Sequence, residues 1–358
     1  MIYFIGLFLT TIPLFLIEEG IINSGKNRKY IVWILFITSI FILIFIGYFR
    51  DISIGIDLKA YYHLFEINYR SFEKGYTLFI DVLRQYSSSF TMFKDIFSFL
   101  FPFAIGLFIG FVSRRKWLSL FLFQTLYLYV STFSLLRQYL ATVGIIIALV
   151  FIYLHLKSVE NKWMFLGFSV IFILLSSLFH YSALFLLILP MVALVERRYI
   201  LIIIYALFGL VLFFFRDPII DFMLTTFFPT KGYYANFEPE IGLFPILQFS
   251  LILINQFLYR IKAREDEFLA HEKEYLFVTN LAIVWLITIF TFSWFPNLAR
   301  ITMYISLIMC AFLPNFMKYK RTTYILIMLV LVAYYAFSLI YRDYQGVYPY
   351  MFMWEAAG

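Results

Sequence analysis

The sequence contains little cysteine and little charge, and both deficits restrict what the protein can be. Its single cysteine, Cys310, lies inside an apolar run, which excludes a disulfide framework and any cysteine-based metal site. Charged residues make up 14% of the 358 residues, whereas about 25% is usual in soluble domains. Hydrophobic residues make up 63% and aromatic residues 23%. The composition therefore excludes an ordinary soluble domain and indicates a membrane protein.

Several common catalytic signatures are also missing. The chain has no Gly-x-Ser-x-Gly nucleophile elbow, no His-Glu-x-x-His zinc motif and no Asp-x-Asp pair to hold a nucleotide-sugar metal. Its four histidines are spread along the chain without metal-ligand spacing: His63, His155, His180 and His271. We therefore expect no bound metal and no other cofactor.

Apolar runs long enough to cross a bilayer recur along almost the whole chain. A spanning helix needs roughly 17–25 predominantly apolar residues, and these unbroken runs lack the alternation of a transmembrane β-strand. We therefore predict an all-α, polytopic integral membrane protein with about twelve transmembrane helices. Their approximate positions are 1–17, 30–48, 95–113, 117–133, 139–156, 163–179, 181–195, 199–215, 243–259, 275–293, 298–317 and 322–341.

Basic clusters orient the predicted spans. All short clusters of lysine and arginine fall in alternate loops, which the positive-inside rule places in the cytoplasm: 26–29, 114–116, 157–162, 197–198, 260–273 and 318–321. Both termini and two long loops, about 49–94 and 216–242, are then expected on the outer face. The first long loop mixes charged and aromatic residues, which is typical of amphipathic helices at a membrane surface. We expect one transmembrane domain, 1–342, followed by an outer tail, 343–358.

Six arginines fall on the predicted outer side, where the positive-inside rule disfavours them: Arg50, Arg84, Arg137, Arg216, Arg300 and Arg342. Arg137 is the most isolated, because no aspartate or glutamate occurs between positions 117 and 157. A cation there faces a cavity, a distant counter-ion or an anionic ligand, or it reaches the lipid headgroups. Arginine suits diphosphate recognition because its planar fork stays charged. Pairing with outer carboxylates such as Asp57 is the competing interpretation.

Two other features stand out on the same side. His180 lies at the junction of two predicted spans, where an imidazole can accept a proton from a hydroxyl; a purely structural role is the alternative. Asn297, Arg300 and Tyr304 are spaced so that one helix face would present all three.

A series of short motifs falls on the predicted outer side of the protein. The first is F-R-D-I-S-I-G-I-D-L-K-A-Y-Y at 49–62. The others are Glu73-x-Gly75-Tyr76, Ser134-L-L-Arg137-Gln138-x-x-Ala141, Phe179-His180-x-Ser182-Ala183, Arg300-x-x-x-Tyr304 and Val347-Tyr348-Pro349-Tyr350. In this order they resemble the EpsG-like family of bacterial polysaccharide polymerases, within the wider group of Wzy-type O-antigen and capsule polymerases. Leu135-Leu136 and Lys74 depart from the family, which often has a polar residue and a proline there.

The resemblance implies an inverting, metal-independent glycosyltransferase at the outer face of the bacterial cytoplasmic membrane. It would transfer a growing glycan from undecaprenyl diphosphate to a hydroxyl of the next lipid-linked repeat unit. For the diphosphate we expect Arg137 and Arg300, assisted by Arg50 or Arg84. As general base we expect His180, with Asp57 as its rival. The remaining substrate-binding candidates are Gln138, Tyr304, Glu73 and, as stacking surfaces for sugars, Tyr61 and Tyr233.

The expected partners are the undecaprenyl-diphosphate-linked oligosaccharide, the lipid bilayer, and a flippase and chain-length regulator of the same pathway; nucleic acid is not expected. A flippase is itself an alternative function, but it would need charged residues at mid-span depth, and the middles of the predicted spans are nearly free of charge. An O-antigen ligase would use the same donor, and residues alone do not separate it from a polymerase. A membrane O-acyltransferase would leave the outer arginines without a role.

Overall fold

A computed structural model of the chain describes residues 2–24, 29–68, 73–87, 89–158, 160–195, 243–291, 298–317, 321–342, 346–347 and 349–353, together with single positions between 203 and 218. The regular elements in these ranges are helices, which confirms the predicted all-α class.

The helices are numbered here in chain order. They are α1 (Ile2–Ser24), α2 (Lys29–Tyr48), α3 (Leu58–Glu66), α4 (Lys74–Tyr86), α5 (Phe90–Val112), α6 (Lys116–Thr125), α7 (Leu128–Ser131), α8 (Leu136–Lys157), α9 (Lys162–Ser177), α10 (Ile188–Leu194), α11 (Leu243–Lys262), α12 (Glu265–Thr291), α13 (Leu298–Phe312) and α14 (Arg321–Phe337). Two 3₁₀ turns, Tyr181–Leu187 and Leu313–Asn315, precede α10 and follow α13, and a π-helical turn, Ser338–Arg342, follows α14.

Five of the described helices are long and apolar enough to cross a membrane: Ile2–Gly20, Lys29–Tyr48, Phe90–Val112, Leu136–Lys157 and Thr322–Tyr341. Three shorter apolar helices are Lys162–Ser177, Tyr181–Leu194 and Ile301–Asn315. The protein is therefore a multi-pass membrane protein. The count of about twelve spans and their orientation remain predictions. The predicted span 199–215 and the outer loop 216–242 lie almost entirely outside the described residues.

α2 shows how the spans divide their surface. Its buried side includes Phe36, Ile40 and Leu43, whereas Ile34 and Phe41 on the other side are 60% exposed. A helix that is apolar all around, with one side exposed, fits a lipid environment, because exposing that apolar side to water would be unfavourable. The exposed side of α2 therefore faces the bilayer, and its buried side packs against α1 and α5.

The apolar run 117–133 does not form the single helix predicted from the sequence. α6 ends at Thr125, and Tyr127 adopts a left-handed backbone with φ of 65° before the short helix α7. Neither glycine nor proline marks this break, and a non-glycine residue in that region costs about 1–3 kcal/mol. Tertiary contacts hold the turn: Gln124 donates a hydrogen bond to the hydroxyl of Thr10 at 2.8 Å. The turn redirects the chain so that α8 begins beside the loop 49–57.

Two short helices cross the predicted outer loop 49–94, as its amphipathic composition indicates. Their apolar sides pack with α5 and α8 in one cluster: Leu58, Phe65, Tyr76, Phe90, Phe93, Phe97, Leu136 and Leu140. At the start of α4, the Gly75 N–H donates to the Leu178 carbonyl at 2.8 Å. A β-carbon at Gly75 would lie only 2.8 Å from that oxygen. Glycine thus permits the close approach of α4 to the end of α9, which brings Glu73 next to His180.

The C-terminal segment 346–353 lies across the loop 49–57, which follows α2. Three backbone hydrogen bonds join the two, Asp51 N–H to Met351 O at 2.9 Å, Met353 N–H to Phe49 O at 3.0 Å and Gly55 N–H to Gly346 O at 2.9 Å. The motifs at the two ends of the chain therefore hold each other in place. The loop leads directly into α3, so the segment also positions the start of that helix, where Asp57 is the N-cap and Tyr61 lies in the first turn.

Arg50 is buried beneath this segment and is only 1% exposed. Its guanidinium lies 4.2 Å above the ring of Phe133, at the carboxyl end of α2, where the helix dipole favours a cation. Burial lowers the pKa of Arg50 to about 10, which leaves the side chain charged at neutral pH. In the described structure its Nε and Nη1 donate no hydrogen bond. Arg50 therefore belongs to the packing under the C-terminal segment.

The loop conformation can be tested at Gly55. Its φ is +115°, and a β-carbon there would lie 2.3 Å from the carbonyl oxygen of Phe133. We expect Gly55→Ala to lower the free energy of unfolding by about 2 kcal/mol or more, measured by thermal unfolding in detergent. The matched control is Gly167→Ala in α9, where nothing lies within 4 Å. Alanine there should be neutral or stabilise by about 0.5–1 kcal/mol. Equal melting temperatures for wild type and Gly55→Ala would contradict the loop structure.

Candidate active site

An ion pair joins α8 to the start of α4. Arg137 lies in the first turn of α8, and its Nη1 donates to Oε2 of Glu73 at 2.7 Å. Glu73 immediately precedes α4, and 6% of its side chain is exposed, against 23% for Arg137. The cation that is isolated in the sequence therefore has a counter-ion 64 residues away. Removing one partner of such a pair is costly, because the other is left as an uncompensated buried charge.

The same carboxylate orients His180. Oε1 of Glu73 lies 3.0 Å from Nδ1 of His180. An ionised carboxylate can only accept a hydrogen bond, so Nδ1 carries the proton and the neutral ring keeps Nε2 as its acceptor. His180 has an extended backbone and directly precedes the 3₁₀ turn Tyr181–Leu187. The chain Arg137–Glu73–His180 thus holds the imidazole in one orientation, with Nε2 able to accept a proton.

Opposing effects act on the Glu73 carboxyl. Burial by itself would raise its pKa, but the hydrogen bond from His180 and the positive charge of Arg137 outweigh burial and lower the pKa to about 2. Glu73 is therefore ionised throughout the physiological pH range. The ion pair is permanent, and Nδ1 of His180 always faces an acceptor.

A cavity of about 210 Å³ opens beside this chain of side chains. It is lined by Asp57, Ala60, Tyr61, Leu64, Leu135, Arg137, Gln138 and His180. Tyr61 is held at the wall because its hydroxyl accepts a hydrogen bond from Nε of Arg137 at 3.1 Å. Five of the site residues predicted from the sequence therefore face one space, although they come from three separate parts of the chain.

Tyr304 and Gln138 connect α13 to this wall. The Tyr304 hydroxyl donates to the Gln138 carbonyl at 3.4 Å and lies 3.2 Å from the hydroxyl of Ser182. Tyr304 is 2% exposed and Gln138 is 3% exposed. Tyr304 therefore packs behind the cavity wall, where it contacts Gln138 and Ser182, and its buried ring is not available to stack on a sugar. Only the backbone of Arg300 is described, one helical turn before Tyr304 in α13.

Arg50 and Arg84 do not line the cavity. Arg84 lies near the end of α4, donates to the Asn68 side chain and to the Phe65 carbonyl, and sits 4.4 Å above the ring of Phe65. It thereby ties α4 to the end of α3, as Arg50 contributes to packing under the C-terminal segment. The predicted sugar-stacking residue Tyr233 lies outside the described residues.

Sequence reasoning found Glu73 but missed its central position. The prediction treated it as a substrate contact, whereas the geometry makes it the shared partner of Arg137 and His180. The only sequence signal was the motif Glu73-x-Gly75-Tyr76, in which the glycine permits the approach that joins them. The sequence also provided no indication that Ser182 contacts the Tyr304 hydroxyl. Within the described ranges no three His, Cys, Asp or Glu residues come together as a metal-ligand set, and metal independence stays a prediction.

These features define a class of protein, a multi-pass helical membrane protein with a charged and partly enclosed site at one end of its helices. A sequence model of the EpsG family matches residues 32–352. The chain belongs to the EpsG family, whose members are polysaccharide polymerase-type membrane glycosyltransferases. No curated protein and no solved structure matches it. The predicted resemblance is thereby confirmed, and it covers the candidate site.

The depressed pKa of Glu73 predicts a pH dependence of stability. An unfolded glutamate titrates near pH 4.3, so the stabilisation from ionised Glu73 is complete above that pH and is lost as the pH falls toward 2. It amounts to on the order of 3 kcal/mol. We expect the difference in melting temperature between wild type and Glu73→Gln to be largest near pH 6 and to shrink toward pH 3. A difference that is independent of pH would contradict an ionised carboxylate at this site.

Proposed function

We propose that this protein polymerises a polysaccharide from lipid-linked repeat units, as Wzy-type polymerases do. The growing glycan would move from undecaprenyl diphosphate to a hydroxyl of the incoming repeat unit at the outer face of the bacterial cytoplasmic membrane. The observation that carries the proposal is the chain Arg137–Glu73–His180 beside a cavity, in a member of the EpsG family.

In this mechanism His180 is the general base. Because Glu73 accepts the hydrogen bond from Nδ1, Nε2 of His180 takes the proton of the acceptor hydroxyl as its oxygen attacks the anomeric carbon. The bond from that carbon to the diphosphate oxygen breaks, and undecaprenyl diphosphate leaves with the bonding electron pair. A single displacement of this kind inverts the anomeric centre. The imidazolium that forms lies next to the Glu73 carboxylate, which stabilises its charge.

Asp57 is the rival base, because it lines the same cavity. A carboxylate in water has a pKa near 4, so it is the weaker base at neutral pH, where an imidazole is better matched to proton transfer. The contact with Glu73 gives His180 a defined orientation as well. We therefore assign proton abstraction to His180 and binding of acceptor hydroxyls to Asp57.

The departing diphosphate gains negative charge, which preplaced cations stabilise. Arg137 lines the cavity and is the first candidate, but Glu73 already balances part of its charge. A second cation is therefore needed, and Arg300 in the first turn of α13 is the candidate. We assign no direct role to Arg50 and Arg84, since both are engaged in contacts away from the cavity.

The size of the cavity limits what it binds. Pockets for drug-sized ligands measure roughly 300–1,000 Å³, whereas this cavity measures about 210 Å³. A single sugar ring is a better fit than a whole repeat unit, and Tyr61 in the wall supplies an aromatic surface for it. The rest of the glycan would extend out of the site, and the polyprenyl chain would lie among the membrane helices. This reaction requires a flippase that delivers the repeat units to the outer face. A regulator of chain length is the second expected partner.

The central test is a polymerisation assay. Purified protein supplied with one lipid-linked repeat unit should produce a ladder of longer glycans without added metal. His180→Ala should lower the turnover number by about 100-fold or more, since general base catalysis contributes about 10²–10⁴-fold, while donor binding is retained. The matched control is His63→Ala on α3, an exposed histidine that does not line the cavity.

Several results would reject the assignment. Transfer of one unit to a separate acceptor, with no ladder, would indicate a ligase. Activity that depends on a divalent cation would exclude the metal-independent mechanism. If His180→Ala weakens donor binding as much as turnover, His180 is structural and Asp57→Asn becomes the variant to assay for proton abstraction.

Arg137 can be tested separately by comparing two substitutions. Arg137→Ala should reduce the rate by about 100-fold or more, as loss of one preplaced donor does. Arg137→Lys keeps the charge but cannot bind Glu73 and Tyr61 through one planar fork, so we expect a smaller loss of about tenfold. Arg264→Lys, at a side chain that is 82% exposed, is the control. Wild-type rates in Arg137→Ala would remove Arg137 from the mechanism.

A further inference from the structure

A second cavity lies at the other end of α8 from the candidate active site. Its volume is about 150 Å³. His155, in its wall, follows Arg137 on the same helix by about 27 Å, at about 1.5 Å of rise per residue. That distance is close to the hydrocarbon thickness of a bilayer, which is about 30 Å. The two cavities therefore lie near opposite faces of the membrane.

Three helix ends and one turn from the interior of a helix converge on this second cavity. They are the last turn of α8, the first turn of α9, the end of α10 and a turn of α12. The polar side chains in its wall are His155 from α8, Lys162 from α9 and Lys273 from α12. The rest of the wall is apolar: Leu156, Trp163, the stretch 192–195, Leu276 and Phe277. These helices thus line a partly polar space at the level where lipid headgroups lie.

Two lysines give the cavity its charge. Among the described residues, neither Lys162 nor Lys273 forms an ion pair, whereas Lys157 nearby is paired with Glu274. The first turn of α9 adds backbone N–H groups, because the Asn161 side chain makes no capping hydrogen bond to them. Helix N-termini of this kind favour anions. The cavity therefore carries positive charge without an internal counter-ion in the described structure.

His155 contributes a fixed polar group to the wall. It is only 7% exposed, and its Nδ1 donates to the Lys162 carbonyl at 2.7 Å. That hydrogen bond fixes the ring and leaves Nε2 for a ligand, as an acceptor for a hydroxyl. The cavity thus combines two ammonium groups with one buried hydrogen-bond acceptor.

Exposed apolar side chains flank this polar space. Trp163 is 63% exposed and Met164 is 50% exposed at the start of α9, and Met191 on α10 is 63% exposed. Tryptophan is enriched at membrane–water interfaces, where its ring lies at the headgroup level. Acyl chains could therefore run along α9 and α10 while a headgroup occupies the cavity.

We propose that this cavity binds the headgroup of an anionic phospholipid, with its phosphate between Lys162 and Lys273 and a headgroup hydroxyl on His155. Basic pockets between membrane helices recognise anionic headgroups in this way. Phosphatidylglycerol has the matching chemistry, since it carries one phosphate charge and free hydroxyls. The site is distinct from the candidate active site and does not depend on the proposed transferase activity.

The test is lipid retention by the purified full-length protein, measured by native mass spectrometry in a neutral detergent. Wild type titrated with dioleoyl phosphatidylglycerol should retain one molecule more than it does with dioleoyl phosphatidylcholine. Each basic side chain contributes about 1 kcal/mol, roughly a fivefold factor. The variant Lys162→Gln/Lys273→Gln should therefore weaken phosphatidylglycerol binding about 25-fold. The matched control Lys262→Gln/Arg264→Gln removes two exposed charges outside the cavity and should bind as wild type does.

A second measurement does not need the lysine variants. Phosphatidylglycerol with brominated acyl chains should quench tryptophan fluorescence more in wild type than in Trp163→Phe, because Trp163 lines the cavity. Equal retention of the two lipids by wild type, or unchanged affinity in the double lysine variant, would overturn the proposal. Displacement of the lipid by free glycerol phosphate at equal concentration would also overturn it, since the ligand would then be a soluble phosphate.

Discussion

The arrangement of this protein depends on one carboxylate that is shared by two partners. Glu73 accepts from Arg137 with one oxygen and from His180 with the other, at 2.7 and 3.0 Å. Each contact supports the other: the arginine keeps the carboxylate ionised, and the carboxylate sets the tautomer of the imidazole. Three parts of the chain are joined as a result. Glu73 precedes α4, Arg137 lies at the start of α8, and His180 lies between α9 and the 3₁₀ turn Tyr181–Leu187. The charge of Arg137 thereby holds the carboxylate that orients His180.

The backbone around this carboxylate is shaped by close approaches. Gly75 lets α4 reach the Leu178 carbonyl, and Gly55 lets the loop after α2 pass the Phe133 carbonyl. The C-terminal segment 346–353 then closes over that loop by backbone hydrogen bonds. Residues near both ends of the matched region, 32–352, therefore belong to one local structure.

The sequence could predict which residues belong to the candidate site but not which of them contact one another. Arg137, His180 and Asp57 were predicted individually, and the structure brings them to one cavity. Pattern arguments work for single residues, since an isolated charge in an apolar run needs an explanation wherever its partner lies. They do not show which carboxylate is the partner, and Glu73 stands 64 positions from Arg137. Arg50 and Arg84 illustrate the same difficulty. Their predicted outer position suggested a ligand, whereas Arg50 lies over the ring of Phe133 and Arg84 contacts the Phe65 ring and carbonyl and the Asn68 side chain.

The sequence by itself determined that the chain is helical and lies in a membrane, because long apolar runs must satisfy their backbone internally. Its motifs also determined the family. Only the tertiary structure decided that the run 117–133 breaks at Tyr127 and that Glu73 joins Arg137 to His180. The hydrophobicity of a local stretch indicates whether that stretch is a helix. The break at Tyr127 and the contacts of Glu73 arise instead from packing between segments that are distant in the chain. A left-handed tyrosine and a shared buried carboxylate carry a local cost, and only contacts from several helices together can offset it.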